Sequence, residues 1–230
     1  MTPPGFEFDC SADLPLIEIY NARRSERGRT RVRTEIPPML YEGRIGAPLT
    51  WLLANPGFDN SPGCAFNHPP PLTPGWPLQS LAPAHRAGYG KWTWDRLREL
   101  REALGDQHVS RNVLAVQICP WASETFDARL RLPSRAFARK LVLHQLQMGS
   151  QFVLVRSEAA WRELVPELAQ VRLARTAHPL TAYLSRGNLG EHWEAVYRAV
   201  SLGDGGHVRS IAQEAAIEFG QAGGAALRQA

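Results

Sequence analysis

Polar residues that could take part in hydrogen bonding or proton transfer stand at the ends of three short apolar runs. Asn55 follows the first run within an Asn-Pro-Gly turn, Gln117 lies near the end of the second, and His178 precedes a proline after the third. A carboxamide can orient a water molecule or bond the edge of a base, and a histidine can donate to a developing negative charge. Each of these residue types is also common in turns and loops, so no single position decides the function.

The apolar runs are predicted to be buried β-strands, because they are short and bounded by turn residues. Their ranges are 49–54, 113–118, 152–155 and 171–174. Segments with helical periodicity separate them, and this alternation predicts a three-layer αβα sandwich around a four-stranded, mainly parallel sheet. Ligands of such sheets bind beyond the carboxyl ends of the strands. The candidate residues are therefore expected to lie at that edge.

The segment before the first strand differs from the rest in composition. It is rich in proline, contains one predicted helix near Leu14–Arg24, and carries six arginines within eleven positions. We predict a basic, Pro-rich extension over 1–48 packed on an α/β domain over 49–230. The arginine run could follow a phosphate backbone or form an ordinary solvated face. If it is an extension, deletion of residues 1–34 should weaken DNA binding and leave the fold intact.

Composition narrows the class of protein. The chain has 230 residues, 44% hydrophobic and 21% charged, which fits one globular domain and excludes wholesale disorder. The net charge is +4 and nearly all basic residues are arginine. Arginine suits bidentate phosphate contacts and so fits a nucleic-acid partner, although a GC-rich genome would give the same bias.

Location and cofactors are predicted from what the sequence does not contain. No apolar run reaches the roughly 20 residues that cross a bilayer, and the N-terminus has no signal-peptide pattern, so we expect a cytoplasmic protein without a membrane partner. Three widely spaced cysteines are too few for a four-thiolate metal site and odd in number for a disulfide framework. We expect reduced thiols, no metal and no cofactor.

The first loop resembles the uracil-DNA glycosylase superfamily, and most closely its mismatch-specific branch. That branch carries an Asn-Pro-Gly turn after a strand and then a Phe-x-His-Pro segment. The matching residues are Asn55-Pro56-Gly57 and Phe66-Asn67-His68-Pro69. In that branch the asparagine orients the hydrolytic water and the phenylalanine stacks on the extruded base.

Two further motifs of the superfamily have partial counterparts. In the better-known uracil enzymes an asparagine at the end of a strand bonds the uracil edge, and Gln117 stands at the matching place. Their His-Pro-Ser loop, followed by Tyr-Arg-Gly, is similar to residues 178–190, with Leu180 in place of the serine. Glutamine reaches one methylene further than asparagine, which favours a 5-substituted pyrimidine over plain uracil. The resemblance covers roughly residues 49–200.

The resemblance implies a monomeric DNA glycosylase that flips a uracil-like or 5-modified pyrimidine out of DNA and hydrolyses its N-glycosidic bond. The catalytic residues would be Asn55, His178 and Asp59, which respectively position water, donate to the base and act as an alternative general base. Base binding is assigned to Gly57, Phe58, Phe66 and Gln117. DNA binding is assigned to Tyr183, Leu184, Arg186 and Asn188, with Tyr183 or Leu184 filling the gap left by the base.

Two other interpretations stay open. One is a catalytically weak or inactive nucleic-acid-binding protein on the same fold, because the motif serine is missing and Asn55 stands where an aspartate would be the stronger base. The other is an unrelated doubly wound enzyme that acts on a small nucleotide, disfavoured because no glycine-rich dinucleotide turn follows any strand. Release of a free base from modified DNA would distinguish a glycosylase from a nucleic-acid-binding protein on the same fold.

Overall fold

Over the part of the chain that the structure describes, the sheet has five strands, one more than the sequence predicts. The computed structural model describes residues 8–59, 72–88, 90–178 and 181–203. The strands are β1 (Tyr41–Gly43), β2 (Leu49–Leu53), β3 (Val113–Gln117), β4 (Gln151–Leu154) and β5 (Leu173–Arg175), in the order β1-β3-β2-β4-β5. β1 runs antiparallel to β3, whereas β3, β2, β4 and β5 are mutually parallel. The chain is therefore a mixed α/β protein with a mostly parallel sheet.

Helices cover both faces of this sheet. They are α1 (Leu14–Asn21), α2 (Lys91–Arg96), α3 (Arg98–Leu104), α4 (Asp106–Asn112), α5 (Arg135–Gln147), α6 (Glu158–Leu164), α7 (Arg186–Leu189) and α8 (Trp193–Leu202). One apolar cluster joins one face of the sheet to α1, α5 and α6, and a second joins the other face to α2, α3, α4 and α8. This layering is consistent with the predicted αβα sandwich. None of the helices in these ranges combines the length and apolar character needed to cross a bilayer.

The central strand β2 explains how the two cores are separated. All five of its residues are buried, and alternate side chains enter opposite clusters: Trp51 and Leu53 on one side, Leu52 on the other. A strand buried on both faces has the continuous apolar run that identified it in the sequence. In the pairing with β3, Leu53 lies beside Gln117, so the residues that follow both strands emerge at the same edge.

The residues before β2 are built into the same domain. β1 pairs with β3, and the predicted boundary at residue 48 thus falls inside the sheet. Ile17 and Val32 belong to the main apolar cluster, at 0% and 4% exposure. The buried carboxylate of Asp13 accepts bonds from Trp121 Nε1 at 2.7 Å and from Ser134 N at 2.9 Å. Removing residues 1–34 would remove these contacts, so we expect that deletion to destabilise the fold as well as to affect DNA binding.

The arginine run is likewise folded against the body of the protein. Arg24 donates to the Tyr20 carbonyl at 2.7 Å and pairs with Asp127 at 3.3 Å, while Arg29 pairs with Glu124. The other members of the run are Arg23, Arg27, Arg31 and Arg33, of which Arg23 and Arg27 are exposed. The arginine run is therefore part of the folded surface, with Arg23, Arg27 and Arg29 exposed.

Candidate functional site

A cavity of about 450 Å³ opens at the edge where β2, β3 and β4 end. Its wall contains Asn55 after β2, Gln117 at the end of β3 and Arg156 after β4, and α2 covers one side. The volume is typical of sites that bind small molecules. We refer to this space, with the residues that line it, as the strand-end cavity. It brings together the first two of the three predicted loops.

Asn55 is held in one orientation at the cavity wall. Its Nδ2 donates to the Pro56 carbonyl at 2.8 Å, the Ser123 carbonyl at 3.0 Å and Ser123 Oγ at 2.9 Å. Ser123 Oγ uses its own proton on the Thr125 carbonyl at 3.1 Å, so toward Asn55 it can only accept. This fixes the carboxamide with its nitrogen on the protein side and its oxygen available to a water molecule. Sequence reasoning missed Ser123, which carries no motif.

Gln117 presents a buried polar group to the same cavity. Its side chain is 5% exposed, and Oε1 has no hydrogen-bond partner within the described ranges. Nε1 of Trp51, also in the cavity wall, is a second buried polar atom without a partner there. An unsatisfied buried acceptor or donor costs about 1–3 kcal/mol, and such groups call for a functional explanation. Together they offer one acceptor and one donor to a polar ligand.

The Asn-Pro-Gly turn continues along the cavity wall through Gly57, Phe58 and Asp59. A Cβ built on Gly57 would meet no atom of the described residues within 4 Å, so this part of the chain leaves space there for a ligand. The Phe58 ring carries the Arg33 guanidinium at 4.5 Å from its centroid, which links the arginine run to this loop. Asp59 is exposed, and Phe66 lies outside the described residues.

Glu42 is a cavity residue that the sequence did not reveal. It lies on β1 opposite Ala115 of β3, and both line the cavity. Its carboxylate accepts bonds from Ser80 N and Ser80 Oγ. Burial raises the pKa of the Glu42 carboxyl above its ordinary value, although these bonds oppose the shift. A carboxyl with a raised pKa in a cavity is a candidate proton donor or acceptor.

An aromatic and cationic wall closes the α2 side. Trp51 and Trp92 stack with their ring centroids 5.2 Å apart and an interplanar angle of 13°. The Arg96 guanidinium lies 5.2 Å from the Trp92 centroid and 4.3 Å from that of Tyr183. These groups combine planar apolar surface with positive charge, which suits a ligand that has a flat ring and an anionic group.

The third predicted loop does not bring His178 to this site. His178 is exposed and does not line the cavity. Of the described residues in 178–190, Ala182 alone lines it. The backbone N–H of His178 donates to Asn188 Oδ1 at 2.9 Å, and its carbonyl accepts from Thr181 N at 3.0 Å. The loop is thus tied to itself, and the position of His178 does not support the predicted donation to the base.

Most of the residues in this loop that were predicted to contact DNA are instead engaged in contacts within the protein. Leu184 is fully buried in the second apolar cluster, so it cannot enter a gap in DNA without unpacking. Asn188 is buried too, and its Nδ2 donates to the Tyr183 carbonyl at 2.8 Å. Arg186 is exposed, with its guanidinium 4.0 Å from Glu194. Among these, Arg186 alone keeps a side chain accessible to a phosphate backbone, while Tyr183 supports Arg96.

The remaining titratable groups add no second centre. Burial raises the pKa of the Cys10 thiol to about 12 and that of Cys119 to about 11, so both are poor nucleophiles. Cys64 lies outside the described residues. Over the ranges described, no group of three or more His, Cys, Asp or Glu is placed to hold a metal ion. The chemistry of the site is that of amides, carboxyls, indoles, an amine and guanidinium groups.

Comparison with known proteins gives no assignment for this site. No protein-family model matches the chain, and a search of curated proteins finds no significant match. The functional argument therefore depends on the strand-end cavity and the residues that line it.

Proposed function

We propose that the chain is a DNA glycosylase that holds an extruded uracil-like or 5-modified pyrimidine in the strand-end cavity and hydrolyses its N-glycosidic bond. One observation carries the proposal: Asn55 and Gln117 meet at one cavity, at the ends of adjacent strands. These are the two positions to which the resemblance assigns water positioning and base recognition. The mostly parallel five-stranded sheet is compatible with a fold like that of the uracil-DNA glycosylase superfamily.

The cavity offers compensation for the cost of base extrusion. Unstacking and unpairing a nucleotide costs a few kcal/mol, and stacking on an aromatic ring returns about 1–3 kcal/mol per base. Phe58 and Trp92 are described aromatic residues of the cavity wall that could supply such a ring. The free polar atom of Gln117 would bond the base edge, and the orientation of its amide would decide between keto and amino groups.

In the hydrolytic step, water adds to the anomeric carbon as the bond from that carbon to the base nitrogen breaks. The electron pair of that bond leaves with the base, which then takes up a proton. Asn55 would orient the water through its oxygen, and Asp59 is the carboxylate in the same loop that could accept the water's proton. A carboxamide cannot itself act as a base, so we expect a slow enzyme.

The decisive experiment measures release of a free base from a panel of duplex and single-stranded oligonucleotides. The panel contains uracil, thymine mismatches and 5-modified pyrimidines, each incubated with the full chain and with the Asn55→Ala and Gln117→Ala variants. We expect release from a 5-substituted pyrimidine, with loss of about a hundredfold in rate in Asn55→Ala. Gln107→Ala, an exposed glutamine on α4, is the matched control. Failure of the unmodified chain to release any base would reject the proposal.

A second function, binding without cleavage, is favoured by one observation. His178 is exposed and away from the cavity, so the described wall contains no histidine that could donate to a departing base. A protein that only holds a modified base would need Gln117 and the aromatic wall and would not need a proton donor. Tight binding of a modified oligonucleotide by the full chain, with no base released, would establish this alternative.

A further inference from the structure

Two arginines line the strand-end cavity from different elements of the fold. Arg96 ends α2 and Arg156 follows β4, and both line the cavity although sixty positions separate them in sequence. They are close enough that the charge of Arg96, together with burial, lowers the pKa of Arg156. Neither position carried a sequence motif, and the base-excision chemistry described above uses neither of them.

Arg96 is held in place without being neutralised. Its guanidinium lies over Trp92 and Tyr183, and its Nε is buried with no hydrogen-bond partner among the described residues. The neighbouring carboxylate of Asp95 forms an ion pair with Lys91 at 2.7 Å. A fixed, partly desolvated guanidinium with an unused donor is a strong candidate for an anion contact, because arginine presents paired N–H groups to phosphate oxygens.

The other carboxylates of the cavity wall are also engaged with other groups. Glu42 accepts from Ser80, and Glu124 pairs with Arg29. Asp59 lines the same cavity from the Asn-Pro-Gly loop and is exposed. Among the described residues no carboxylate forms an ion pair with Arg96, so the charge of Arg96 is available to a ligand.

We propose that Arg96 and Arg156 form a phosphate-binding subsite for the nucleotide whose base lies against Gln117. The ligand class is a phosphate ester of a pyrimidine nucleoside, either a free monophosphate or a phosphodiester within DNA. An anion held there would supply an acceptor for the unused Arg96 Nε. The placement of the base rests on the proposed function, whereas the anion contact rests on the arginine geometry alone.

The test compares ligands that differ only in the phosphate. Affinities of the full chain for 2′-deoxyuridine and for its 5′- and 3′-monophosphates are measured by calorimetry, alongside inorganic phosphate and an oligonucleotide that contains a 5-modified pyrimidine. We expect a monophosphate to bind about 10- to 100-fold more tightly than the nucleoside. Arg96→Gln and Arg156→Gln should each abolish that difference, so that each variant binds the monophosphate no more tightly than it binds the nucleoside. Arg96→Lys should retain part of it.

Arg98→Gln is the matched control, since Arg98 is an exposed arginine two positions away on α3 and is not in the cavity wall. The subsite is rejected if no monophosphate binds more tightly than the nucleoside and the oligonucleotide affinity falls equally in Arg96→Gln and Arg98→Gln. Thermal unfolding of each variant checks folding, and Arg156→Gln and Arg96→Lys decide the matter if Arg96→Gln does not fold.

The same preparations separate the two proposals. Phosphate discrimination that depends on Arg96, without release of any base, supports the subsite and rejects the glycosylase. Base release that is unaffected by Arg96→Gln and Arg156→Gln, with equal affinity for nucleoside and monophosphates, supports the glycosylase and rejects the subsite. A preference for the oligonucleotide over both free monophosphates would identify the phosphodiester as the source of the anion.

Discussion

Replacing Gln117 with methionine would separate what this residue does for stability from what it does for recognition. Oε1 of Gln117 is buried without a partner in the described chain. Methionine has a similar length and volume but no polar group, so the variant no longer carries the cost of that unsatisfied acceptor. Removing the unsatisfied acceptor should raise the free energy of unfolding by about 1–3 kcal/mol, whereas imperfect packing of the methionine should lower it by less than about 1.5 kcal/mol.

We therefore expect Gln117→Met to leave the free energy of unfolding unchanged or to raise it by up to about 2 kcal/mol. For a chain of this length, each kcal/mol raises the melting temperature by roughly 2–4 °C. Recognition should change in the opposite direction, because the base edge would lose its partner, and kcat/KM for the preferred base should fall about tenfold or more. Gln117→Asn, which is shorter, should shift the preference toward uracil.

The measurements are urea and thermal unfolding together with single-turnover base release. Gln107→Met, on the exposed side of α4, controls for adding a methionine elsewhere. A loss of more than about 1 kcal/mol in Gln117→Met, beyond that of the control, would mean that Oε1 has a stabilising partner in solution. Unchanged base selectivity would remove Gln117 from the recognition of the base.

Three further predictions test other parts of the molecule. Asn55→Asp should lower the free energy of unfolding by about 2–4 kcal/mol in urea titrations, because the new carboxylate could not donate the three bonds of Asn55 and would face two carbonyl oxygens. Ser123→Ala should lower the free energy of unfolding by about 1 kcal/mol. Since the pKa of Glu42 is raised in the fold, its protonated form stabilises the fold at low pH, and this contribution is lost as the pH rises through the raised pKa. Thermal unfolding of the unmodified chain and of Glu42→Gln between about pH 4 and 8 should therefore show different pH dependences of stability, and parallel curves would contradict this role of Glu42. Replacing the exposed Arg23 and Arg27 with glutamine should reduce the log–log salt slope of DNA binding by up to about 0.9 per contact, and an unchanged slope would exclude both from the interface.

The parts of the fold that could be predicted are those whose signal is local. β2, β3 and β4 are short apolar runs buried on both faces, and such runs can be recognised from the sequence alone. β1 is three residues, Tyr41-Glu42-Gly43, with no apolar pattern, and its place in the sheet is set by pairing with β3. Gly43 shows this dependence: its φ is 114°, and an added Cβ would stand 2.3 Å from the Val113 carbonyl oxygen.

The same distinction explains which site residues were foreseen. Asn55 and Gln117 follow or end strands, and the rule that ligands bind at strand ends places them correctly in one cavity. Arg96 and Trp92 reach the cavity because of how α2 packs over the sheet, which no local pattern encodes. The assignment of His178 depended on loop residues whose bonds to Asn188 only the folded structure reveals.

The position of His178 also changes which residue could supply a proton to a departing base. Because His178 does not line the cavity, Glu42 becomes a described carboxyl there that could supply the proton, since burial raises the pKa of Glu42 above its ordinary value. A glycosylase that depends on this proton should lose activity as the pH rises through that pKa, and Glu42→Gln should remove the dependence together with most of the rate. If His178 supplied the proton instead, His178→Ala and not Glu42→Gln would remove most of the rate. A pH–rate profile of the two variants therefore decides between the sequence motif and the geometry of the cavity.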